Sequence, residues 1–208
     1  YLAIMAILAV SPEIMRPTAL ILNILVGLIS TYKYYKAGSF SWAILIPLVI
    51  GSIPLAFIGG RLMLPGEIYK PIVGVILVLA ASRMILVAKN GSNYELQNPS
   101  KLILLLFGGI LGFLSGITGV GGGIFLSPLL IFFRWAPIKV VSGITAAFIL
   151  VNSISGILGM ITYETRILPS IFLWAIAVII GGFIGSEFGS KHLGNRAIYL
   201  LLSLVLLI

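Results

Sequence analysis

The sequence predicts an all-α, polytopic transmembrane protein made of two related halves, with helices broken by glycine. Three observations lead there. The chain has 208 residues, of which 60% are hydrophobic and 9% charged, with a mean hydropathy of +1.22; a soluble domain carries about 25% charged residues. The thirteen Lys and Arg outnumber the five acids, all Glu, by eight. They stand singly between apolar runs, a pattern of membrane-surface charges rather than of a nucleic-acid patch. Finally, the chain shows self-similarity around a polar linker, and one long apolar segment is interrupted by glycines.

Uncharged intervals give the spans, since a helix needs roughly 20 apolar residues to cross about 30 Å of hydrocarbon. Residues 17 to 32 form a short first interval, extended by Tyr32, Tyr34 and Tyr35 as an interfacial belt with Lys33 and Lys36 snorkelling. Residues 37 to 60 give 24 uncharged positions. Residues 71 to 88 fit a third span, with Arg83 near its end. Residues 90 to 100 (NGSNYELQNPS) are turn formers too polar to bury, and they divide a first half, 1 to 89, from a second, 101 to 208. In the second half, 140 to 163 give 24 uncharged positions, 167 to 186 give 20, and 197 to 208 read as the start of a further helix. The chain begins at Tyr1 without Met and ends within an apolar run, so a fragment is expected; a signal peptide at 2 to 10 is disfavoured because no basic region precedes it.

Shifting the chain by 129 residues superposes Asn23 on Asn152, Gly27 on Gly156 and Tyr34 on Tyr163, and a shift of 126 brings Ile58-Gly59 onto Ile184-Gly185. Internal duplication is a common transporter architecture. Residues 102 to 133 are 32 uncharged positions, about 48 Å as one helix at 1.5 Å per residue. Such a segment must tilt or break. The stretch Ser115-Gly116-Ile117-Thr118-Gly119-Val120-Gly121-Gly122-Gly123 marks the break, because glycine costs about 1 kcal/mol against alanine inside a helix and tolerates positive φ. An unwound stretch at membrane depth needs protein or a water-filled cavity around it. With a half helix over 124 to 133, the amides of Gly121, Gly122 and Gly123 would sit at its positive end, an anion site without a basic side chain. Gly108 and Gly112 read instead as close helix packing. If the segment turns back as a hairpin, nine Lys and Arg share one side against four; if every span crosses, the division is seven against six. The first favours a re-entrant hairpin and inverted halves with the linker cytoplasmic, although a parallel duplication fits the hydropathy as well.

At these residues the chain resembles the sulfite exporter TauE/SafE family. The resemblance is carried by GFLSGITGVGGGIFLSPLL from Gly112 to Leu130, with Pro128 in the family's place, by RPTALILN from Arg16, GSIPLAFIGG from Gly51, SGITAAFILVNS from Ser142 and GGFIGSEFG from Gly181. It covers nearly the whole chain. One departure is that the family's first-half glycine motif is missing, and its place would lie before Tyr1. The resemblance implies transport of small anions, sulfite and organosulfonates or their breakdown products, and supports an anion transporter better than it supports sulfite itself.

The expected substrate-binding residues are Thr118, Gly119, Gly121, Gly122 and Gly123 in the loop, with Asn23 and Asn152 as side-chain donors, for which interhelical hydrogen bonding is the alternative. Thr18 and Thr145 are weaker candidates, since membrane threonines often bond their own backbone. Ser115 and Pro128 support the helix break. Arg16 and Lys139, at helix mouths, could draw anions in but read first as solvated anchors, and Glu187 is the nearest candidate for the carboxylate that proton coupling would use. No nucleophile, base and orienter can be assembled from one His and five Glu, and without Cys no thiolate metal site exists; no enzyme activity, cofactor or metal is expected. The expected partners are the bilayer and a small anion, with a homodimer left open and nucleic acid excluded, in a prokaryotic inner membrane. A passive anion channel and a non-transporting scaffold are the alternatives.

Overall fold

The computed structural model describes residues 4–5, 10–62, 96–160, 171–195, 197–198 and 200–201. The described residues form six α-helices: α1 Pro12–Lys36, α2 Trp42–Arg61, α3 Lys101–Thr118, α4 Gly123–Phe132, α5 Ile138–Met160 and α6 Ile171–Glu187, which runs into a π-turn at Phe188–His192. Five of these stretches are long and apolar enough to span a bilayer, and α4 is a shorter apolar helix. The expected span over 71 to 88 and most of the linker and of 197 to 208 lie outside the described residues.

The helix ends follow from local chemistry. Pro12 occupies the first position of α1, where a missing N–H costs nothing. The helix extends past the expected 17 to 32 at both ends. It closes where Ser39 N–H reaches Tyr34 O and Gly38 N–H reaches Tyr35 O, both at 3.0 Å, with Gly38 at φ +69°. This paired closure after a left-handed glycine satisfies the last carbonyls and turns the chain directly into α2.

Lipid tails are as apolar as leucine, so helices here associate through close contact and hydrogen bonds rather than by excluding water. The sequence supplies small residues for that. Along α3, Gly108 faces Leu48, Gly112 faces Ser52 and Gly116 faces Ala56, and a Cβ on any of the three would run into the backbone carbonyl opposite. Numbers rising together mean that α2 and α3 run parallel, backbone against backbone. The intrinsic helix cost of these glycines, about 1 kcal/mol each, is offset by that approach. Helix α5 runs antiparallel to α1, with Gly143 against Ser39 near one end and Gly156 against Leu20 towards the other. Ser155 Oγ donates to Ile53 O at 2.6 Å, tying α5 to α2.

Helix α6 touches α1 where Gly182 meets Val26. Trp174 packs towards Met15 and Ala19, and most of the remaining surface is outward-facing and apolar, with Phe172 79% and Leu173 71% exposed, a surface suited to acyl chains. Its C-terminal end is held by charge. Lys33 pairs with Glu187 and lies 3.3 Å from the Phe183 ring centroid, and Lys191 pairs with Glu187 at 2.6 Å.

Helices α3 and α4 form a hairpin. Gln97 N–H, ahead of α3, donates to Arg134 O, beyond α4, at 2.9 Å. Phe107 meets Phe133 and Trp135 at 5.8 and 5.9 Å between ring centroids. The segment therefore enters and leaves on one side of the bundle. Lys33, Lys36, Lys101, Arg134, Lys139 and Lys191 gather at that end, and Arg16 and Arg61 lie towards the other.

Candidate functional site

The tip of the hairpin lies inside the bundle. Helix α3 ends at Thr118, and Gly119, Gly121 and Gly122 follow at φ +71°, +81° and +73°. L side chains rarely adopt that region, at a cost of roughly 1–2 kcal/mol per residue. Thr118 Oγ1 donates to Leu114 O at 2.7 Å, and Gly119 N–H returns to Ser115 O at 2.9 Å. Helix α4 starts at Gly123, one residue earlier than the expected half helix. Its first internal bonds run from Phe125 and Leu126 N–H to Gly122 O at 3.2 and 3.1 Å. The N–H groups of Gly123 and Ile124 thus precede any intrahelical acceptor and stand at the positive end of the helix dipole. Pro128 is buried inside α4 and removes one further backbone donor from it.

The glycines are required by space as well as by φ. A Cβ on Gly121 would stand 2.8 Å from Asn23 Nδ2, 2.9 Å from Ile149 Cγ2 and 3.2 Å from Ser153 Oγ. One on Gly122 would stand 2.9 Å from the Phe148 ring and 3.1 Å from Ser115 Cβ, and one on Gly123 would crowd Ile149 and reach Thr145 Cγ2 at 2.8 Å. Gly121 therefore sits level with Asn23, halfway along α1, and with Ile149, halfway along α5. Gly121 to Gly123 thus lie level with the middle of two helices long enough to span a bilayer, and Gly119 lies nearer the end that carries Arg16.

The structure brings together Gly119, Gly121, Gly122, Gly123, Asn23, Thr145 and Ser115, and places Asn152 on the same stretch of α5. Thr145 Oγ1 pairs with Ser127 Oγ of α4 at 2.9 Å. Thr18 Oγ1 donates to Ile14 O at 2.7 Å, inside its own helix. Asn152, expected as a donor, donates its Nδ2 to Phe148 O at 2.8 Å, which leaves the side-chain oxygen. Ser115 Oγ, Ser153 Oγ and Asn152 Oδ1 are buried without a hydrogen-bond partner among the described residues. An orphaned buried polar group costs roughly 1–3 kcal/mol; Ser115 and Ser153 lie against the loop, and Asn152 stands next to Ser153 on α5.

Arg16 is a correction. Read from the sequence as a solvated anchor, it is 5% exposed, with Nη2 donating to Gly116 O at 2.9 Å and Nη1 to Leu62 O at 3.2 Å. The last carbonyls of α3 and the end of α2 lack helical partners, and a guanidinium fork satisfies both. Its aliphatic stem packs against Gly119, where a Cβ would stand 3.1 Å from Arg16 Cα. Lys139 reaches Ser190 O at 3.4 Å. Ser127 and Ser153 are members that the sequence reading missed; the signal available was Ser153 standing next to Asn152 in an otherwise apolar helix.

The arrangement offers backbone donors at a positive helix end, hydroxyls and amides at membrane depth, and a buried guanidinium beside the loop. Such a set of donors is complementary to negative charge. The family model described as sulfite exporter TauE/SafE matches residues 1–208. A probable membrane transporter protein of Sinorhizobium fredii is 35% identical over all of this chain and 85% of the relative. Two more distant relatives, also named probable membrane transporter proteins, come from Methanocaldococcus jannaschii, 26% identical over 84% of this chain and 69% of the relative, and from Bacillus subtilis, 23% identical over 96% and 80%. No solved structure matches the chain.

Proposed function

Since the chain belongs to the sulfite exporter TauE/SafE family and is an integral membrane transporter, we propose that it carries small anions, sulfite, organosulfonates or related sulfur oxyanions, by alternating access past the glycine loop. The observation that carries this reading is the α4 N-terminus opening at mid-membrane depth behind three left-handed glycines, flanked by Asn23, Ser115 and Ser153. Backbone amides fixed at a helix N-terminus favour negative charge without a mobile cation. Discontinuous helices of this kind are the recurrent site-builders of secondary transporters.

We further read the chain as two related halves of inverted orientation. Gly27 of α1 lies against Leu150 of α5, and its counterpart Gly156 lies against Leu20 of α1. The two helices thus approach a two-fold exchange, with Asn23 and Asn152 both near mid-depth. The clustering of lysines at the open end of the hairpin supports a cytoplasmic placement for that end, in a plasma membrane.

Sulfite flux into proteoliposomes tests the reading, with thiosulfate, sulfoacetate, sulfate and acetate as competitors and the imposed pH gradient varied. Saturable uptake blocked by sulfur oxyanions but not by acetate is expected. Flux that rises linearly with concentration would make the protein a channel, and no flux for any anion would overturn the proposal.

A further inference from the structure

We infer that Asn152 accepts a hydrogen bond from a protonated oxygen of the transported anion, so that the site takes oxyanions carrying one proton in preference to those carrying none. The inference rests on the anion-transport reading above and narrows it, ranking hydrogensulfite ahead of the sulfonates, sulfate and thiosulfate, which carry no O–H at neutral pH and bind more weakly. Thr145, Phe148, Ile149, Asn152 and Ser153 share one face of α5 at spacings of three, four, seven and eight residues. Four of the five touch the glycine loop: Thr145 beside Gly123, the Phe148 ring beside Gly122, and Ile149 and Ser153 beside Gly121. Asn152 completes that face, fully buried.

The orientation of its amide is fixed by its partner. Phe148 O is a carbonyl and only accepts, so the group 2.8 Å from it must be the NH2. Oδ1 is then the atom that remains, and it has no partner among the described residues. The rest of the site donates or can donate: the Gly123 and Ile124 amides, Ser115 Oγ and Ser153 Oγ. A fully deprotonated anion offers acceptors alone and would set one of its oxygens against Oδ1. An anion with a single O–H satisfies both, its bare oxygens on the amides and hydroxyls and its O–H on Asn152. A bound cation would also suit Oδ1, but the positive end of α4 and the Arg16 guanidinium at Gly119 both oppose one.

Methylphosphonate as its monoanion and methanesulfonate are tetrahedral, singly charged and of nearly the same size, and differ in that only the first bears an O–H. Their competition against sulfite uptake, measured with the full-length protein in proteoliposomes, tests the inference. A site built around a hydrogen bond rejects the analogue that lacks it, so methylphosphonate monoanion should compete roughly tenfold better. Asn152→Leu should erase that preference, whereas Ser153→Ala should weaken both competitors alike. Should Asn152→Leu fail to insert, the wild-type pair still decides the matter. Equal competition by the two anions, a preference kept in Asn152→Leu, or a sodium requirement that vanishes in Asn152→Leu would each overturn the assignment while leaving anion transport standing. Absence of any saturable anion uptake would overturn both.

Discussion

Replacing Gly121 by alanine separates the backbone requirement of the loop from its crowding, because Gly38 supplies an internal reference. Both glycines are left-handed, at φ +81° and +69°, but a Cβ on Gly38 meets nothing within 4 Å. Gly38→Ala should therefore cost the left-handed strain alone, roughly 1–2 kcal/mol. Gly121→Ala adds contacts at 2.8 Å to Asn23 Nδ2 and 2.9 Å to Ile149 Cγ2. Both atoms are side-chain ends that move at a cost, and overpacking typically adds about 1–3 kcal/mol. The expected total is about 2–5 kcal/mol, and moving Asn23 disturbs the proposed site. Thermal unfolding in detergent, followed by tryptophan fluorescence, should rank wild type above Gly38→Ala above Gly121→Ala. Sulfite flux per inserted molecule should survive in Gly38→Ala and fall at least tenfold in Gly121→Ala. If the two variants match in both stability and flux, the loop is an ordinary turn and the site assignment is refuted.

Gly122→Leu, which drives a large side chain towards Phe148 and Ser115, should abolish transport while membrane insertion persists; retained flux would refute the loop's role. Gly108→Ala places a Cβ against the Leu48 carbonyl, so α2 and α3 must part, and a stability loss of about 1–3 kcal/mol or more is expected by thermal unfolding. Arg16→Lys keeps the charge but a single ammonium cannot span both Gly116 O and Leu62 O; the expected loss is roughly 1–3 kcal/mol, and unchanged unfolding would show that the fork is dispensable. Single cysteines at Gln97 and Arg134 should label from the same side of the membrane, and labelling from opposite sides would sink the hairpin.

The spans were legible wherever charge and hydropathy alone define them, which is why α2, α5 and α6 lie close to their expected intervals. Their edges were not. The 37 to 60 interval opens with a glycine closure that carries no charge, so the true start waits until Trp42. Arg16 was misread for a related reason. A lone arginine between apolar residues looks like an interfacial anchor unless the carbonyls it serves are visible, and Gly116 and Leu62 lie 100 and 46 residues away in sequence. The glycine loop was legible because left-handed backbone has a narrow residue requirement, whereas hydroxyls such as Ser153 have none and are placed only by the fold. The amide direction of Asn152 was beyond the sequence altogether, since it is set by a carbonyl of its own helix.

In the proposed carrier, dipoles and hydroxyls at the site with the guanidinium displaced towards one end have a physical logic. A bare cation at membrane depth is costly to maintain and would hold an anion too firmly to release it. A helix N-terminus acts as roughly half a positive charge, sufficient to offset part of an anion's desolvation yet weak enough to let it leave. Arg16 is committed to the carbonyls that end α3 and α2, so its charge biases the loop's potential while its donors hold the helices in place. On this view Arg16→Lys should lower stability more than it alters the ranking of competing anions, because the charge stays and the fork is lost. Measuring unfolding and competition on the same variant separates the two roles: a changed ranking with unchanged stability would place Arg16 in contact with the anion instead.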